Sequence, residues 1–445
     1  MITENDIKIF EEMKDEDFFS DKLTHIYFNC NVTQKSVTQL IEKIEQANLD
    51  IVLPTGAIIK PKPILIHISS NGGNLTEGMR LMSVFSLSSV PIATLVDNIS
   101  ASAATFLSIN SHYRLINKYA FSLIHNYSLT GLFNDKINQL KNIIKLLDIT
   151  FNQIIERYEQ RTFLKKEKIL NLLEHDLLLN AETCLKYGMV DRIIDIKQNK
   201  EKKIIKDIDI IVNSKYNNVM VSCDKTTEKI DSILFSNNLA PVILFPRRYS
   251  CGTLENDAEP DKESPSIIKT LNIIPRILCL KCPVYAIIEG SISIDDLLPL
   301  LFCDHIFIFD YALIVSNILY YYNSSGFFIE DNLRNTQEIF KIIKIILKEK
   351  TNMPEDMIQN INKKFSFIDA KKAVELKMCN SVINYNSFFK KNKRLSINAS
   401  IIPESPNESH HKHLSENQEE IQKDSLPVLP EPQTHRKKKN VKKKK

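Results

Sequence analysis

Three short apolar runs within residues 64–125 each lead into small or polar residues. The first, Ile64–Ile68, precedes a pair of adjacent glycines, and the second, Ile92–Val96, precedes a stretch rich in serine and alanine. The third, Phe121–Ile124, ends at His125. Apolar runs of this length, bounded by turn residues, indicate buried strands. We therefore expect small and polar side chains to gather where neighbouring strands of one sheet end.

Helical patterns lie between these runs and elsewhere in the chain. Because strand and helix alternate, the sequence predicts an α/β fold with a largely parallel sheet. In the first half we expect a strand over 23–30, a helix over 35–46 capped by Thr33, an irregular connection over 49–62, a helix over 75–88, a long helix over 134–160 that packs against a neighbour, and a short helix ended by Gly188.

The glycine pair and Ser102 are the candidate chemical features of this region. The chain has only nine glycines, so Gly72 and Gly73 together indicate a left-handed backbone or a close backbone approach. Ser102 follows a strand, begins a helix and has alanine on both sides, which leaves room for a substrate carbonyl. A serine nucleophile needs a histidine base, a carboxylate that orients it, and amides that bind the oxyanion. His125 would supply the base, and Gly73 and Ala103 the amides.

Each feature taken alone also has a structural interpretation, since small-residue runs allow close helix packing and a single histidine often only donates a structural hydrogen bond. Taken together, however, several motifs resemble those of a known enzyme family in their order and spacing. They are segments 69–73 with 78–79, 101–107, 123–125, Asp176, 181–182 and 187–191. With these motifs, residues 20–195 resemble the proteolytic subunit of the Clp protease family.

The resemblance implies a Clp-protease/crotonase-like fold of repeated β-β-α units. Residue by residue, it implies Ser102 as nucleophile, His125 as base, Asp176 as the acid, and Gly73 and Ala103 as oxyanion donors. It also implies a serine endopeptidase that cleaves unfolded proteins or peptides through an acyl-enzyme, inside a ring oligomer fed by an AAA+ ATP-dependent unfoldase. The unfoldase would be a separate protein, because the sequence contains no P-loop pattern.

The sequence departs from the family pattern near the expected substrate groove. Asn71 stands where the family usually has proline before the glycine pair, and Asn126-Tyr127 stands where it has Gln-Pro. Residues 49–61 lengthen a connection. These departures bear on the groove more than on the triad.

The second half repeats the pattern of the first. Pro91 and Pro283, like Tyr119 and Tyr311, are separated by 192 residues, so we predict a tandem duplication. We interpret the copy as a catalytically inactive scaffold, because its aligned triad positions hold other residues. Those positions, with the offset changing to 189 at the last, are Ile294, Asn317 and Phe365.

The end of the chain differs in composition from the rest. Its last ten residues hold eight basic side chains, without which the formal net charge of +4 becomes −4. A nucleic-acid surface is thus not expected outside this tail, which either binds anionic surfaces or acts as a nuclear signal if it has a role. The predicted parts are an N-terminal extension (1–20), a catalytic domain (21–196), a linker (197–215), a degenerate domain without the triad (216–395) and a disordered tail (396–445).

Cysteine usage and hydropathy suggest the compartment. The eight cysteines are mostly isolated, and the one close pair, Cys279 and Cys282, has no second pair nearby, so we expect reduced thiols and no metal or cofactor. Residues 1–17 do not resemble a signal peptide, and no run reaches the roughly 20 apolar residues of a membrane helix. We expect a soluble, cytoplasmic protein.

Three other functions fit parts of the sequence. A non-catalytic ring component that regulates an active partner fits the loss of the triad in the second half. A signal-peptide-peptidase-type enzyme with a Ser/Lys dyad and an enoyl-CoA hydratase-like enzyme have related folds. The former usually has its serine in the second repeat and is tied to a membrane, whereas Ser102 lies in the first repeat. The latter would not need Ser102 together with His125 and Asp176.

Overall fold

The computed structural model describes most of the first 391 residues. Residues Met1–Lys391 form one compact unit. Its described strands form two large sheets, a three-stranded sheet and a two-stranded hairpin, with helices between the strands, which confirms the predicted α/β class. The described residues are 2–126, 137–197, 204, 206–208, 216–221, 226–235, 240–246, 267–271, 273–316, 329–361 and 366–391.

The strands of the first half form the first sheet and the hairpin. They are β1 (Thr24–Phe28), β2 (Ile51–Val52), β3 (Ile58–Ile59), β4 (Ile64–Ser70), β5 (Ile92–Ala101), β6 (Tyr113–Asn117), β7 (Phe121–Leu123), β8 (Leu178–Asn180) and β9 (Arg192–Ile194). The sheet has the order β1-β4-β5-β6-β9 with parallel neighbours, while β7 pairs in parallel with the end of β5 and antiparallel with β8. Strands β4 and β5 are buried almost throughout, as a parallel sheet covered on both faces requires.

The helices of the first half begin and end largely where the sequence places their caps. Thr33 accepts a hydrogen bond from the Ser36 amide, and Gly188 ends its helix with a φ of +67°, as predicted. The helices are α1 (Glu4–Glu12), α2 (Gln34–Ala47), α3 (Leu75–Leu87), α4 (Thr105–Asn110), α5 (Ile137–Arg161), α6 (Lys166–Leu173) and α7 (Ala181–Lys186), with 3-10 turns at Asp15–Phe19 and Ser102–Ala104.

Two expectations for this half need correction. The strand predicted over 92–96 continues to Ala101, because residues 97–101 are buried, residues 99–101 pair with β7, and Ser100 also pairs with Ser70 of β4. The connection over 49–62 is not wholly irregular, since it contains the hairpin of β2 and β3. The first residues predicted for the long helix, 134–136, lie outside the described residues.

The second half builds a second parallel sheet. Its strands are β10 (Asn217–Val221), β11 (Val242–Pro246), β12 (Val284–Ile288), β13 (Ser291–Ser293), β14 (His305–Phe309), β15 (Leu313–Val315), β16 (Phe367–Asp369) and β17 (Ser381–Ile383). Five of them have the order β10-β11-β12-β14-β17, and the other three have the order β13-β15-β16. The helices are α8 (Thr226–Phe235), α9 (Ile267–Leu271), α10 (Ile273–Cys279), α11 (Ile294–Leu300), α12 (Ile329–Lys350), α13 (Glu355–Gln359), α14 (Ala370–Glu375) and α15 (Tyr385–Lys391).

The two halves share strand order and register. The residue pairs of β12 with β14 and of β13 with β15 lie 192 positions after those of β5 with β6 and with β7. In β16 and β17 the offset from β8 and β9 is 189. These are the two offsets noted in the sequence; descent of one half from the other stays a prediction. Asn317 and Phe365 lie outside the described residues, as does most of the predicted linker.

A buried cluster of charges joins the two halves. Arg276 on α10 is 0% exposed; its Nη2 donates to Asp97 on β5 at 2.7 Å, and its Nε donates to Asp231 on α8 at 2.9 Å. Burial lowers the pKa of Arg276, but the two carboxylates outweigh burial and raise the pKa above its usual value. His67 Nδ1 lies 3.1 Å from Asp97, and His67 Nε2 lies 2.9 Å from His25 Nδ1. Removing Arg276 would leave Asp97 and Asp231 buried without their cation, so the cluster stabilises the contact between the halves.

Candidate active site

Three neighbouring strands deliver the predicted site residues to one edge of the first sheet. Ser70 in β4 pairs with Ser100 in β5, and Ala101 pairs with Leu123 in β7. The glycine loop, the serine turn and the histidine therefore leave parallel strands that lie about 4.8 Å apart. This edge confirms that small and polar residues gather where the strands end.

Ser102 occupies a strained turn between β5 and α4. Its φ of +53° lies in the left-handed region, which residues other than glycine seldom adopt. The carbonyl of Ser102 accepts a hydrogen bond from the Thr105 hydroxyl at 2.6 Å and another from the Thr105 amide, which holds the turn closed. A serine on a sharp strand-to-helix turn, partly open to solvent, is the arrangement that exposes a nucleophile in several hydrolases.

Gly72 passes close to this turn. A Cβ atom on Gly72 would lie 2.5 Å from the carbonyl oxygen of Ala101 and 2.7 Å from Cβ of Ser102. On α3, a Cβ on Gly78 would lie 2.7 Å from the carbonyl oxygen of Ala103. The close approach at Gly72 confirms the expectation drawn from the scarcity of glycine, whereas the contact at Gly78 was not predicted.

The amide of Gly73 faces the side of the loop on which Ser102 lies. The Val32 amide donates to the Gly72 carbonyl at 2.8 Å, and the Val32 carbonyl accepts from the Asn74 amide at 2.8 Å. In this parallel bridge Gly73 lies between the two residues that bond to Val32, so its own N–H points away from Val32. Because Val32 lies on the β1 side of β4, the Gly73 N–H points to the β5 side.

His125 and Asp176 contact each other directly. Strands β7 and β8 are antiparallel and pair Leu123 with Leu178, so a residue two positions after the former faces one two positions before the latter. His125 Nδ1 lies 2.7 Å from Asp176 Oδ1. The side chains are 27% and 17% exposed, so the pair is accessible to solvent. A carboxylate on Nδ1 places the imidazole proton there and leaves Nε2 as an acceptor.

The serine hydroxyl is near this pair but not bonded to it. The register of β5 and β7 places Ser102 level with Ile124, one residue before His125. Within the described part of the chain, no hydrogen bond joins the Ser102 hydroxyl to His125. Catalytic hydrogen bonds are often long before substrate binds and shorten in the substrate complex.

Among the described residues, no group of three or more His, Cys, Asp or Glu side chains is placed to hold a metal ion. None of the helices in that part of the chain is both long enough and apolar enough to span a membrane.

Comparison with known proteins places the similarity in the first half. The family model for Clp protease matches residues 25–197. ATP-dependent Clp protease proteolytic subunit 1 of Chlamydia trachomatis serovar D is 26% identical over 171 residues, which cover 38% of this chain and 85% of that protein. The protein of the same name from Protochlamydia amoebophila is 28% identical over 30% of this chain and 66% of its own length. The ATP-dependent Clp protease proteolytic subunit of Deinococcus radiodurans is 26% identical over 32% of this chain and 68% of its own length.

The matched segment coincides with a structural unit. It begins at the second residue of β1 and ends just after β9, so it contains the first sheet except Thr24, together with Ser102, His125 and Asp176. Residues 25–197 of the chain are therefore similar to the Clp protease family.

Proposed function

We propose that the first half is a serine endopeptidase in which Ser102 is the nucleophile, His125 the general base and Asp176 the residue that orients the base. The observation that carries the proposal is the 2.7 Å contact between His125 Nδ1 and Asp176 Oδ1, beside a serine held at positive φ. A histidine oriented through Nδ1 presents Nε2 as a base, which is the role a serine nucleophile requires.

The reaction follows the order of a serine-peptidase cycle. His125 Nε2 takes the proton of Ser102 as Oγ bonds to the carbonyl carbon of the scissile peptide. The C–N bond then breaks, and His125 gives the proton to the leaving amine, which leaves an acyl group on Ser102. A water molecule, deprotonated by His125, attacks the acyl carbon; the ester bond to Ser102 Oγ then breaks, His125 returns the proton to Oγ, and the second product leaves with its new carboxyl group. Asp176 stabilises the imidazolium both when the acyl-enzyme forms and when it is hydrolysed.

The amides of Gly73 and Ala103 would bind the oxyanion. The Gly73 N–H faces the β5 side of its loop, and Ala103 lies in the first turn after Ser102. A Cβ on Gly72 would lie 3.0 Å from the Ala103 nitrogen, so the two loops approach within van der Waals distance. Amides fixed in this way stabilise the developing negative charge without reorganising.

The family supports a larger assembly for this protein. The relatives are named as proteolytic subunits of an ATP-dependent protease, so we infer a cytoplasmic ring oligomer that receives unfolded proteins from a separate AAA+ unfoldase. The matching strand order and offsets support a tandem duplication, whose second copy is an inactive scaffold. Measurement of the native mass tests the ring, because a stable monomer would contradict it.

A fluorophosphonate probe tests the nucleophile. We expect the probe to label Ser102 in the intact protein, as mapped by peptide mass spectrometry, and we expect no labelling of Ser102→Ala or His125→Ala. Absence of labelling in a folded, oligomeric sample would contradict the peptidase.

The main alternative is a non-catalytic ring component that regulates an active partner. It is favoured by the lack of a hydrogen bond from Ser102 to His125 in the described residues and by the buried Ile294 at the aligned position of the second half. The labelling experiment separates the two functions. A Ser/Lys-dyad enzyme or an enoyl-CoA hydratase-like enzyme would not need the contact between His125 and Asp176.

A further inference from the structure

Helix α12 of the second half lies against the segment of the first half that carries Asp176. Three polar side chains of this helix, Asp331, Asn335 and Glu338, are spaced by four and three residues and so lie on one face. All three contact residues 175–180. This face lies outside the segment matched by the Clp protease family model.

Asn335 binds the main chain on both sides of residue 177. Its Oδ1 accepts the amide of Leu178 at 2.7 Å, and its Nδ2 donates to the carbonyl of Asp176 at 2.6 Å. One side-chain amide thus takes the place of a neighbouring strand, which would bond the same two groups. Asn335 is 1% exposed, so water does not compete for these hydrogen bonds.

Asp331 binds the amide of Asp176, the residue whose carbonyl Asn335 binds. Its Oδ2 accepts the amide of Asp176 at 3.1 Å, and its Oδ1 lies 3.2 Å from Nδ1 of His175. Asp331 is 2% exposed. The amide and the carbonyl of Asp176 are therefore both bonded to α12, while its carboxylate is bonded to His125.

The segment needs this support because the strand after it is short. β8 has three residues, and within the described residues it pairs with β7 alone. Buried main-chain groups on its other edge require partners from elsewhere. A shift of the Asp176 backbone would move the carboxylate away from His125, and displacements of about 1 Å can cost about a hundredfold in rate.

We propose that Asn335 and Asp331 are positioning residues for Asp176, so that the second half sets the activity of the first. This inference rests on the proposed peptidase function, since positioning matters only if Asp176 orients His125. It gives the second half a direct role at the site, in addition to any role in assembly.

The test compares Asn335→Ala with a matched control on the same helix, Gln337→Ala, whose side chain is exposed. The readout is the second-order rate constant of fluorophosphonate labelling at Ser102 in the full chain. We expect Asn335→Ala to slow labelling by about tenfold to a hundredfold, and Gln337→Ala to change it less than about twofold. Equal rates in the two variants would overturn the inference.

A double variant separates positioning from general destabilisation. If Asn335 acts through the Asp176 carboxylate, Asn335→Ala should add no further loss in an Asp176→Ala background. The same factor in both backgrounds would overturn the inference. If Asn335→Ala folds poorly, Asn335→Asp fills the same space, keeps the acceptor for Leu178 and loses the donor to Asp176, and it should still label more slowly.

Hydrogen exchange distinguishes failure of this inference from failure of the proposed function. If the unaltered protein is not labelled at Ser102, the peptidase proposal fails. Hydrogen exchange of the amides in peptide 174–180 then tests separately whether Asn335 holds this segment. Faster exchange there in Asn335→Ala than in Gln337→Ala supports the contact, and equal exchange overturns it.

Discussion

The two halves have the same strand register after β5 and β13 at their carboxyl edges but different turns. In the first sheet β5 ends at Ala101, whose side chain caps no amide, and Ser102 takes a left-handed conformation, partly open to solvent. In the second half β13, a strand of the three-stranded sheet, ends at Ser293, whose hydroxyl accepts the Asp296 amide at 3.2 Å, and α11 begins at once with the buried Ile294. The relaxed turn has Ile294 where the strained turn has Ser102, the proposed nucleophile. The fold therefore does not require the strain, which points to a function for it.

The largest effect should be a loss of peptide hydrolysis when residues of the proposed triad at the first edge are substituted. We expect His125→Ala, and Asp176→Asn, to lower peptide hydrolysis by roughly 10⁴-fold, because the base or its orientation is lost. The measurement is kcat/KM for a fluorogenic peptide. If both variants kept their activity, His125 and Asp176 would have no catalytic role, and the first edge would not differ from the second in chemistry.

The next effect concerns the charges that join the halves. Arg276→Ala leaves Asp97 and Asp231 buried without their cation, so we expect a loss of about 3–5 kcal/mol in the free energy of unfolding. Urea unfolding measures it. Arg80→Ala, which removes an ion pair to Glu77 from a half-exposed side chain, is the control and should cost less than about 1 kcal/mol. Similar losses in both variants would contradict a special role for the cluster.

Gly72→Ala should displace the serine turn. The added Cβ would meet Ala101 and Ser102 at 2.5 and 2.7 Å, so we expect labelling of Ser102 to slow by about a hundredfold. Gly290→Ala is the control in the second half, because Gly290 also has a positive φ, +86°, but its added Cβ would meet no atom within 4 Å among the described residues other than its chain neighbours. That variant should label at the normal rate and lose only about 1–2 kcal/mol of stability.

Lowering the pH should reduce the free energy of unfolding through His25 in the first half. Burial and the neighbouring His67 lower the pKa of His25 to about 3, from 6.5 for an ordinary histidine. The unfolded chain then binds a proton that the folded chain does not, so the contribution of His25 to stability is complete above about pH 6.5 and is lost as the pH falls toward 3. The slope should reach at most about 1.4 kcal/mol per pH unit. Urea unfolding at pH 7, 6 and 5 should show a shallower slope for His25→Gln; an unchanged slope would rule His25 out as the cause.

The smallest expected effect is at the second edge. Ile294→Ser restores a hydroxyl at the aligned position, but we expect no labelling there, because the residue lies at the start of an ordinary helix and is buried. Mapping of the probe on this variant tests the point. Labelling at position 294 would show that a serine alone suffices and that the strained turn is dispensable.

Much of the first edge was predictable because the signals are local. Apolar runs mark β4, β5 and β7, parallel pairing brings their ends together, and the scarce glycines mark the loop beside Ser102. The contact of His125 with Asp176 was expected only from the family resemblance. It depends on the register of β7 with β8, strands separated by more than fifty residues, and no local pattern encodes such a register.

By itself the sequence determined the α/β class, the strands that end at the site, the cap at Gly188 and the two offsets between the halves, because these depend on side-chain periodicity and on glycine's backbone freedom. Only the tertiary structure decided that Arg276 reaches Asp97 and that Asn335 bonds the backbone of Asp176. Both contacts join residues more than 150 positions apart. Their partners are chosen by how the halves pack, where buried polar groups must be paired, and a single sequence does not state that packing.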